Sequence, residues 1–311
     1  MKTKIFNFVV ICSSILILFL IFLNKTIVFD SVSFGINIWI KNVFPSLFPF
    51  FIISDILIKY NITNYIPSWI KKIFRYLFNV SDNVITIFFL SMVSGFPSNA
   101  RNTRIMYDNN MISVDEANYV LMFTHFSNPF FILGTVSVFF LKNETYGIII
   151  LVSHYLSNFI IGILFRNKKY YSHINYTNVN NKCQNFSSVF VNAISSSINS
   201  LIMILGTLIS FLVISSLIID LFKFNLYSDA IVKGILEITM GLKSLSLLNI
   251  DDIYKVVIST MFLSFGGFSV HMQVISNIID TDIKYFYFFF GRIIHVMLSF
   301  VLSLLLFLIF F

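Results

Sequence analysis

Long apolar runs alternate with short polar connections along the whole chain. A membrane-spanning helix needs about 20 apolar residues to cross the hydrocarbon core. Eight such runs lie near residues 5–23, 34–58, 84–100, 117–141, 146–165, 190–219, 255–278 and 284–311. Two further stretches, 64–79 and 228–248, are apolar but interrupted by charge, which is typical of helices that lie at the interface or pack against a bundle. The pattern predicts an all-α polytopic membrane protein.

Two of the membrane runs are broken in a similar way. Residues 89–98 read FLSMVSGFPS and residues 262–270 read FLSFGGFSV, so each apolar run meets glycine and then polar residues. Unwound backbone is costly in hydrocarbon unless it lines a cavity or is buried in protein. Paired breaks in the two halves of a chain are typical of a transporter binding site near the bilayer midplane. We therefore expect the chain to hold a polar solute inside the membrane.

The paired breaks belong to a wider internal similarity. Residues 51–58 also resemble residues 211–218, and the matching segments follow one another in the same order in both halves. Inverted repeats of this kind are a common transporter plan. The polar stretch 167–186, rich in Asn and Tyr, predicts a linker between the repeats. The expected organisation is an N-terminal membrane helix, a first repeat, a cytoplasmic linker and a second repeat, at 1–30, 31–166, 167–186 and 187–311.

Basic residues give the expected orientation of these segments. They cluster in two connections, one with Lys59, Lys71, Lys72 and Arg75, the other with Arg166, Lys168, Lys169 and Lys182. Basic connections usually face the cytoplasm, so the N-terminus and the linker are expected there. The run 84–100 must then enter and leave the membrane on one side, as a re-entrant hairpin. The break at 94–97 gives this hairpin a place to turn, because proline interrupts a helix.

Composition and charge exclude several other classes of function. The mean hydropathy is +0.87 and 11% of residues are charged, so little soluble mass remains. The net charge of +7 resides between apolar runs, where it sets topology, and predicts no nucleic-acid partner. Cys12 and Cys183 form no CxxC pair, and the five His residues form no HExxH motif. The sequence also lacks a catalytic triad and a nucleotide-binding loop, so we expect no enzyme activity, metal or cofactor.

Polar residues within the broken runs of the first half are candidates for solute binding. Ser98, Asn99 and Arg101 follow the first break, where a half-helix N-terminus would favour a carboxylate. Arg101 is equally suited to be a cytoplasmic anchor. In the run 117–141, His125 and Asn128 lie in mid-span and are expected to face the bundle interior. A core role for His125 is an equal alternative to a ligand role.

The second half offers a corresponding set of candidates. Polar side chains in its apolar stretches are Glu237, Thr239, Ser269, His271 and Gln273. A carboxylate in such a stretch is expensive and usually has a role, such as pairing with a cation or binding a proton. In the last run, Arg292 and His295 are three residues apart and share a helix face. Arg292 is expected to extend to the interface, with pairing to a carboxylate as the alternative.

Six short motifs, spread over residues 34–300, are informative when they are considered together. They are FPSLFPFFIISD at 44–55, SGFPSNAR at 94–101, ISVDEA at 112–117, SNPFFILGT at 127–135, LEIT at 236–239 and FGGFSVHMQ at 265–273. Together they resemble the nucleoside-recognition (Gate) domain superfamily and, within it, the YlbJ-like sporulation integral membrane proteins. Two departures are the Asn at position 99, where relatives are expected to have Gly, and a second half with no segment matching 146–165.

The resemblance implies both a fold and a function. The fold would be that of a concentrative nucleoside transporter core, with two inverted repeats and re-entrant hairpins. The function would be a permease for dipicolinate, a small planar ring with two carboxylates, across the outer forespore membrane or cell membrane of a spore-forming bacterium. Its partners would be this anion and the lipid bilayer, with a coupling ion and a homo-oligomer left open. The alternatives are a transporter of nucleoside-like solutes and a spore-envelope scaffold that transports nothing.

Overall fold

The computed structural model describes residues 2–166 and 185–311, which contain helices and no strand. Six helical stretches in these residues are long and apolar enough to cross a membrane: Lys4–Leu23, Lys25–Lys59, Glu144–Leu164, Phe186–Phe222, Asp252–Ile278 and Tyr285–Phe310. They match six of the eight expected spans. The predicted linker, apart from its last two residues, lies outside the described residues, as does Cys183. The protein is a multi-pass membrane protein.

The first half begins with two long helices and continues through shorter ones. Its elements are α1 (Lys2–Leu23), α2 (Lys25–Ile38), a π-helical turn (Trp39–Val43), α3 (Phe44–Lys59), a 3₁₀ turn (Ile62–Tyr65), α4 (Ser68–Phe78), α5 (Asp82–Ser94), α6 (Ser98–Asp108), α7 (Val114–Phe123), the π-helix (Phe131–Leu141) and α8 (Glu144–Leu164). The expected interfacial stretch 64–79 contains α4, which has Phe74 and Phe78 buried and its basic residues directed outward. α4 is therefore an amphipathic helix packed on the bundle.

The second half begins and ends with a long helix and has shorter helices between them. Its elements are α9 (Phe186–Phe222), α10 (Leu226–Leu236), α11 (Ile238–Ser246), α12 (Asp252–Phe265), α13 (Gly267–Ile278) and α14 (Tyr285–Phe310). α9 packs against α2, α3 and α13. α8, α12 and α14 pack against one another. The core of the first half is rich in Phe, with Phe78, Phe88 and Phe123 fully buried.

Two pairs of short helices form hairpins. α5 and α6 pack on each other, and Asn83 at the start of α5 donates to the carbonyl of Met111 just after α6, at 2.7 Å. α10 and α11 pack more closely, because a Cβ on Gly241 would lie 2.1 Å from the Cα of Gly234. The stretch 228–248, expected as a helix at the interface or against the bundle, is thus the second hairpin. It turns at the buried Glu237.

The two glycine breaks that the sequence paired serve different purposes. Gly95 ends α5 and turns the first hairpin, whereas Gly266 lies between α12 and α13, which follow each other as one interrupted span. Both glycines have positive φ, +80° and +93°. A glycine at the end of an apolar run therefore indicates a helix end in both places and does not distinguish a hairpin turn from an interrupted span. Residues 89–98 and 262–270 therefore lie in elements of different kinds, and their pairing in a repeat stays a prediction.

Each half contains a long span, a hairpin, an interrupted span and a final span. In the first half these are α2–α3, α5–α6, α7 with the π-helix, and α8. In the second half they are α9, α10–α11, α12–α13 and α14. α14 corresponds to the span expected at 284–311, and it packs against α8.

Gly95 supports a close backbone approach, and this leads to a stability prediction. A Cβ at Gly95 would lie 2.5 Å from the backbone nitrogen of Asn128, and its φ and ψ of 80° and −178° are accessible only to glycine. We expect Gly95→Ala to lower stability by about 1–3 kcal/mol, because overpacking forces the backbone apart. Thermal unfolding in detergent measures this. Gly206→Ala is the control, since no atom lies within 4 Å of its Cβ position, and an unchanged melting temperature for Gly95→Ala would contradict the prediction.

Candidate functional site

A cavity of about 700 Å³ opens where the hairpins and interrupted spans meet, and we call it the central cavity. Its wall includes Phe96 at the tip of the first hairpin, Asn128 in the first interruption, Glu237 at the tip of the second hairpin and Ser269 just after the second interruption. α2, α3 and α9 complete the wall with residues such as Ser46 and Ile204. Chain interruptions from both halves therefore converge on one cavity.

Five of the ten predicted binding residues line this cavity. They are Asn128, Glu237, Thr239, Ser269 and Gln273. They come from three separate elements, namely the first interruption, the second hairpin and α13. Polar side chains at membrane depth face a cavity or the bundle interior because lipid cannot satisfy them.

Hydrogen bonds of the Asn128 side chain connect the first interruption to the first hairpin. Its side-chain oxygen accepts from the backbone N–H of Phe130 at 2.8 Å, and its amide donates to the carbonyls of Val93 and Ser94 at 3.4 and 3.3 Å. These carbonyls are at the C-terminal end of α5, where helix carbonyls lack intrahelical partners. Asn128 therefore stabilises the unwound stretch as well as lining the cavity.

Side chains of α8 stabilise the same unwound stretch from behind. His154 Nε2 accepts from the backbone N–H of Ser127 at 2.9 Å, and Asn158 donates to the carbonyl of His125 at 2.8 Å. The Tyr155 hydroxyl lies within 2.7 Å of the Met92 carbonyl. Because buried backbone groups must be paired, α8 makes the interruption tolerable in the membrane.

Glu237 occupies the turn of the second hairpin and caps α11. Its carboxylate accepts from the backbone N–H of Met240 at 2.9 Å, and it is 3% exposed. A carboxylate is favourable at a helix N-terminus because the helix dipole places partial positive charge there. Thr239, in the first turn of α11, also lines the cavity.

The N-terminus of α13 is directed at the cavity without a side-chain cap. α13 starts at Gly267 after the positive-φ Gly266, and no side chain among residues 2–166 and 185–311 caps its N-terminus. Ser269 lies in its first turn and Gln273 one turn later. Within the part of the chain that is described, the Gln273 side-chain amide makes no hydrogen bond, although the residue is 5% exposed. Gln273 is therefore available to a solute.

Two lysines that the sequence analysis did not select also line the central cavity. Lys41 lies in the π-helical turn between α2 and α3, and Lys243 in α11 lies over the ring of Phe34 with 4.7 Å to its centroid. Glu237 is the one acidic residue among the lining residues, so the wall has an excess of positive charge. Both lysines could have been selected from the sequence, because a charged residue inside an apolar run of a membrane protein usually has a function.

The other five predicted residues are buried and do not line the cavity. The Ser98 hydroxyl donates to the carbonyl of Gly95 and is 2.7 Å from the Ser94 hydroxyl, so it stabilises the hairpin turn. Asn99 is fully buried, and neither of its side-chain polar atoms has a partner among the described residues. These two residues act within the hairpin rather than at the cavity wall.

The two predicted histidines differ in their surroundings. His125 is fully buried, has no hydrogen-bond partner on either ring nitrogen among the described residues, and stacks on the cavity-lining Phe96 at 4.9 Å between ring centroids. His271 is paired through Nε2 with the Phe265 carbonyl at 2.9 Å and through Nδ1 with the Tyr285 hydroxyl at 2.6 Å. His271 therefore connects α12, α13 and α14 rather than facing the cavity.

Arg101 also lies away from the central cavity. Its guanidinium makes a two-fold contact with the carboxylate of Asp55, at 2.5 and 2.6 Å, and donates to Ser196 and Ser200 at 3.0 Å each. Arg101 is 3% exposed. It is therefore neither a cytoplasmic anchor nor part of the cavity wall. Asp55 was part of a family motif but was not selected as a functional residue.

Arg292 does not reach the interface, which corrects the expectation for this residue. It is fully buried and donates to the carbonyls of Met122 and Ser264, at 2.6 and 3.4 Å, and to His295 Nδ1 at 2.5 Å. Met122 and Ser264 are in the last turns of α7 and α12, the two half-helices that end at the interruptions. Arg292 therefore places its positive charge at two negative helix ends.

The chain was compared with known proteins at the levels of family, sequence and structure. It is 29% identical over 318 aligned residues to the sporulation integral membrane protein YlbJ of Bacillus subtilis (strain 168), an alignment that covers 89% of this chain and 78% of that protein. No family model matches the chain. No solved structure matches it either. The sequence relationship extends over nearly the whole fold, and membership of the Gate superfamily stays a prediction.

Proposed function

We propose that this chain, a YlbJ-like sporulation membrane protein, is a permease for a small anionic solute, and that the solute is dipicolinate moved across the outer forespore membrane. The observation that carries the proposal is the central cavity. Its volume of about 700 Å³ is within the range of roughly 300–1,000 Å³ that is usual for small-molecule sites. A structural scaffold has no need of a large cavity that is made from interrupted helices and carries a few polar side chains in a mostly apolar wall.

The charges of the cavity favour an anion. Lys41 and Lys243 are exposed to the cavity, and the uncapped N-terminus of α13 adds partial positive charge. The carboxylate of Glu237 is turned toward the N-terminus of α11, so its negative charge is partly offset there. Dipicolinate carries two carboxylates, and these would contact the lysines and the amide of Gln273.

The apolar part of the wall favours a planar ring. Phe34, Phe96, Phe130, Phe131, Phe139 and Phe140 line the cavity. Aromatic rings stack with other planar rings in offset or edge-on arrangements, each contact contributing about 0.5–1.5 kcal/mol. A pyridine ring with two carboxylates would use both parts of the wall. A nucleoside-like solute would also stack on these rings, but it gives the lysines no full negative charge to bind.

The order of helices supports transport by two related units. If α7 and the π-helix together form one crossing, each unit has three crossings and one hairpin, since a hairpin returns to the side from which it starts. An odd number of crossings gives the second unit the opposite orientation if the linker lies on one side of the membrane. Inverted units around a shared cavity allow alternating access by movement of one unit against the other. The inverted repeat is part of the proposal.

A deletion in the sporulating host tests the function in its own setting. Dipicolinate is measured separately in mother cells and forespores of the deletion strain, the parent strain and a strain complemented with the intact gene. The proposal expects dipicolinate to accumulate in the mother cell and to be missing from the spore, with complementation restoring it. A normal dipicolinate content in spores of the deletion strain would reject the proposal and favour a scaffold or another solute.

A further inference from the structure

A second cavity lies at the other end of the helices that line the central cavity. Its volume is about 420 Å³. Polar groups are frequent in its wall, including Asp55, Lys59, Asn61, Asn109 and Asn192. None of these residues contributes to the central cavity. The proposed permease function assigns no role to this second cavity.

The two cavities share α3, α9 and the first hairpin. α3 reaches the central cavity at Leu47 and the second cavity at Asp55, while α9 reaches the central cavity at Ile204 and the second cavity at Ser196. The residue order is opposite in the two helices, so they run antiparallel between the cavities. Eight helical residues rise by about 12 Å, which is the approximate thickness of the protein layer between the cavities.

The intervening layer contains the Arg101–Asp55 pair. Arg101 is on α6 of the first hairpin, Asp55 on α3, and the two serines that also bind Arg101, Ser196 and Ser200, are on α9. The pair therefore joins all three elements that the cavities share. The side chains of Arg101 and Asp55 are 4% and 13% exposed. A buried pair is held strongly because removing one partner leaves an uncompensated charge.

Apolar side chains fill the rest of the layer. Phe51 and Leu201 are fully buried, and they form a cluster with Leu47 and Ile204 on the side of the central cavity. The guanidinium of Arg101 lies over the ring of Phe51, 4.8 Å from its centroid. This cation–π contact couples the charged pair to the apolar part of the layer, so the two parts are expected to move together.

We infer that the second cavity is the opposite mouth of the solute path, and that Arg101, Asp55 and Phe51 form the gate between it and the central cavity. The inference rests on the proposed permease function. Opening requires the first hairpin to separate from α3 and α9, which breaks the ion pair and exposes Arg101 to the path. The exposed guanidinium would then face an incoming carboxylate, to which it can donate two parallel hydrogen bonds. In this state Arg101 recovers the anion-binding role that its position after the hairpin tip suggested.

Cysteine accessibility tests the gate without requiring transport. Reporter cysteines replace Ser46 in the central cavity and Asn192 in the second cavity, each in a background with Cys12→Ser and Cys183→Ser. A charged methanethiosulfonate reagent that cannot cross membranes is added to right-side-out or to inverted vesicles. With the gate intact, we expect the two reporters to be labelled from opposite sides of the membrane.

The gate variants are a neutral pair and a reversed pair. Asp55→Asn with Arg101→Gln removes both charges without leaving either one buried and unpaired, and Asp55→Arg with Arg101→Asp restores an ion pair. We expect the neutral pair to raise the labelling rate of Ser46→Cys from the side of Asn192 by about tenfold, the scale of a modest shift between two conformations. The reversed pair is expected to lower that rate again.

A second ion pair on the same helix serves as the control. Arg104 and Asp108 are both on α6, and they are partly exposed, with side-chain exposures of 28% and 49%. Arg104→Gln with Asp108→Asn is expected to leave the labelling pattern unchanged. An unchanged pattern in the neutral Arg101 and Asp55 variant, with normal melting, would overturn the gate. Because labelling needs no solute, this result stays separate from a failure of the permease function.

Discussion

Replacing Arg292 by Met is expected to destabilise the protein by about 2–4 kcal/mol, because two helix-end carbonyls lose their donor in a buried place. Arg292 contacts Met122 and Ser264, the ends of half-helices from both halves of the chain. Its positive charge at both ends offsets the helix dipoles that the interruptions create. Methionine fills a similar volume, so the loss isolates the polar contacts rather than packing. Thermal unfolding of the purified protein in detergent measures the effect.

Two further variants make the Arg292 experiment specific. Arg292→Lys keeps the charge but lacks the planar fork that reaches several acceptors at once, so it is expected to recover only part of the stability. Arg166→Met removes an exposed arginine that donates to the carbonyl of Tyr76, and its melting temperature is expected to stay near that of the unsubstituted protein. Equal melting temperatures for Arg292→Met and Arg166→Met would show that the interrupted helices do not depend on Arg292.

Replacing Gln273 by Ala is expected to lower the transport rate roughly 10- to 150-fold, which corresponds to the loss of about 1.5–3 kcal/mol from one hydrogen bond to a charged group. The Gln273 amide faces the central cavity and has no hydrogen bond of its own among the described residues. Its removal should therefore leave folding intact. Solute flux into vesicles that contain equal amounts of folded protein gives the measurement.

Asn277→Ala is the matched control for this variant. Asn277 lies one turn beyond Gln273 on α13, and its side chain donates to the Gln273 carbonyl, away from the cavity wall. We expect Asn277→Ala to transport at the unsubstituted rate. Asn128→Ala should also lose transport, but it loses contacts to the first hairpin as well, so its melting temperature must be measured alongside. Undiminished transport by Gln273→Ala would remove Gln273 from the solute site.

The continuous spans could be predicted from the sequence, whereas the hairpins could not all be distinguished from spans. A run of about 20 apolar residues has few alternatives to a transmembrane helix. A glycine of positive φ ends a helix equally well before a reversal, as at Gly95, or within an interrupted span, as at Gly266. Only the packing of the following helix decides between them. The second hairpin was missed as a hairpin because Glu237 and Lys243 gave its stretch the composition of an interfacial helix.

The candidate site could be predicted only in part, because the sequence shows which residues are polar but not which of them lie side by side in the fold. Asn128, Glu237 and Gln273 stand out as polar side chains in apolar stretches, and lipid cannot satisfy such groups. This rule finds buried polar residues but does not tell which of them line the cavity. Arg101 and His271 have internal partners that lie far away in the sequence or on another helix. Those partners could be identified only after the helices were assembled.

Flux through reconstituted vesicles tests most directly whether the central cavity carries dipicolinate across a membrane. Purified protein is placed in vesicles loaded with dipicolinate, and its release is compared with release from protein-free vesicles and from vesicles containing Gln273→Ala. Vesicles loaded with uridine test the nucleoside alternative. We predict rapid release of dipicolinate by the unsubstituted protein, slow release by the variant, and no accelerated release of uridine. Release of dipicolinate at the protein-free rate, from vesicles whose protein unfolds cooperatively and is correctly inserted, would contradict this prediction.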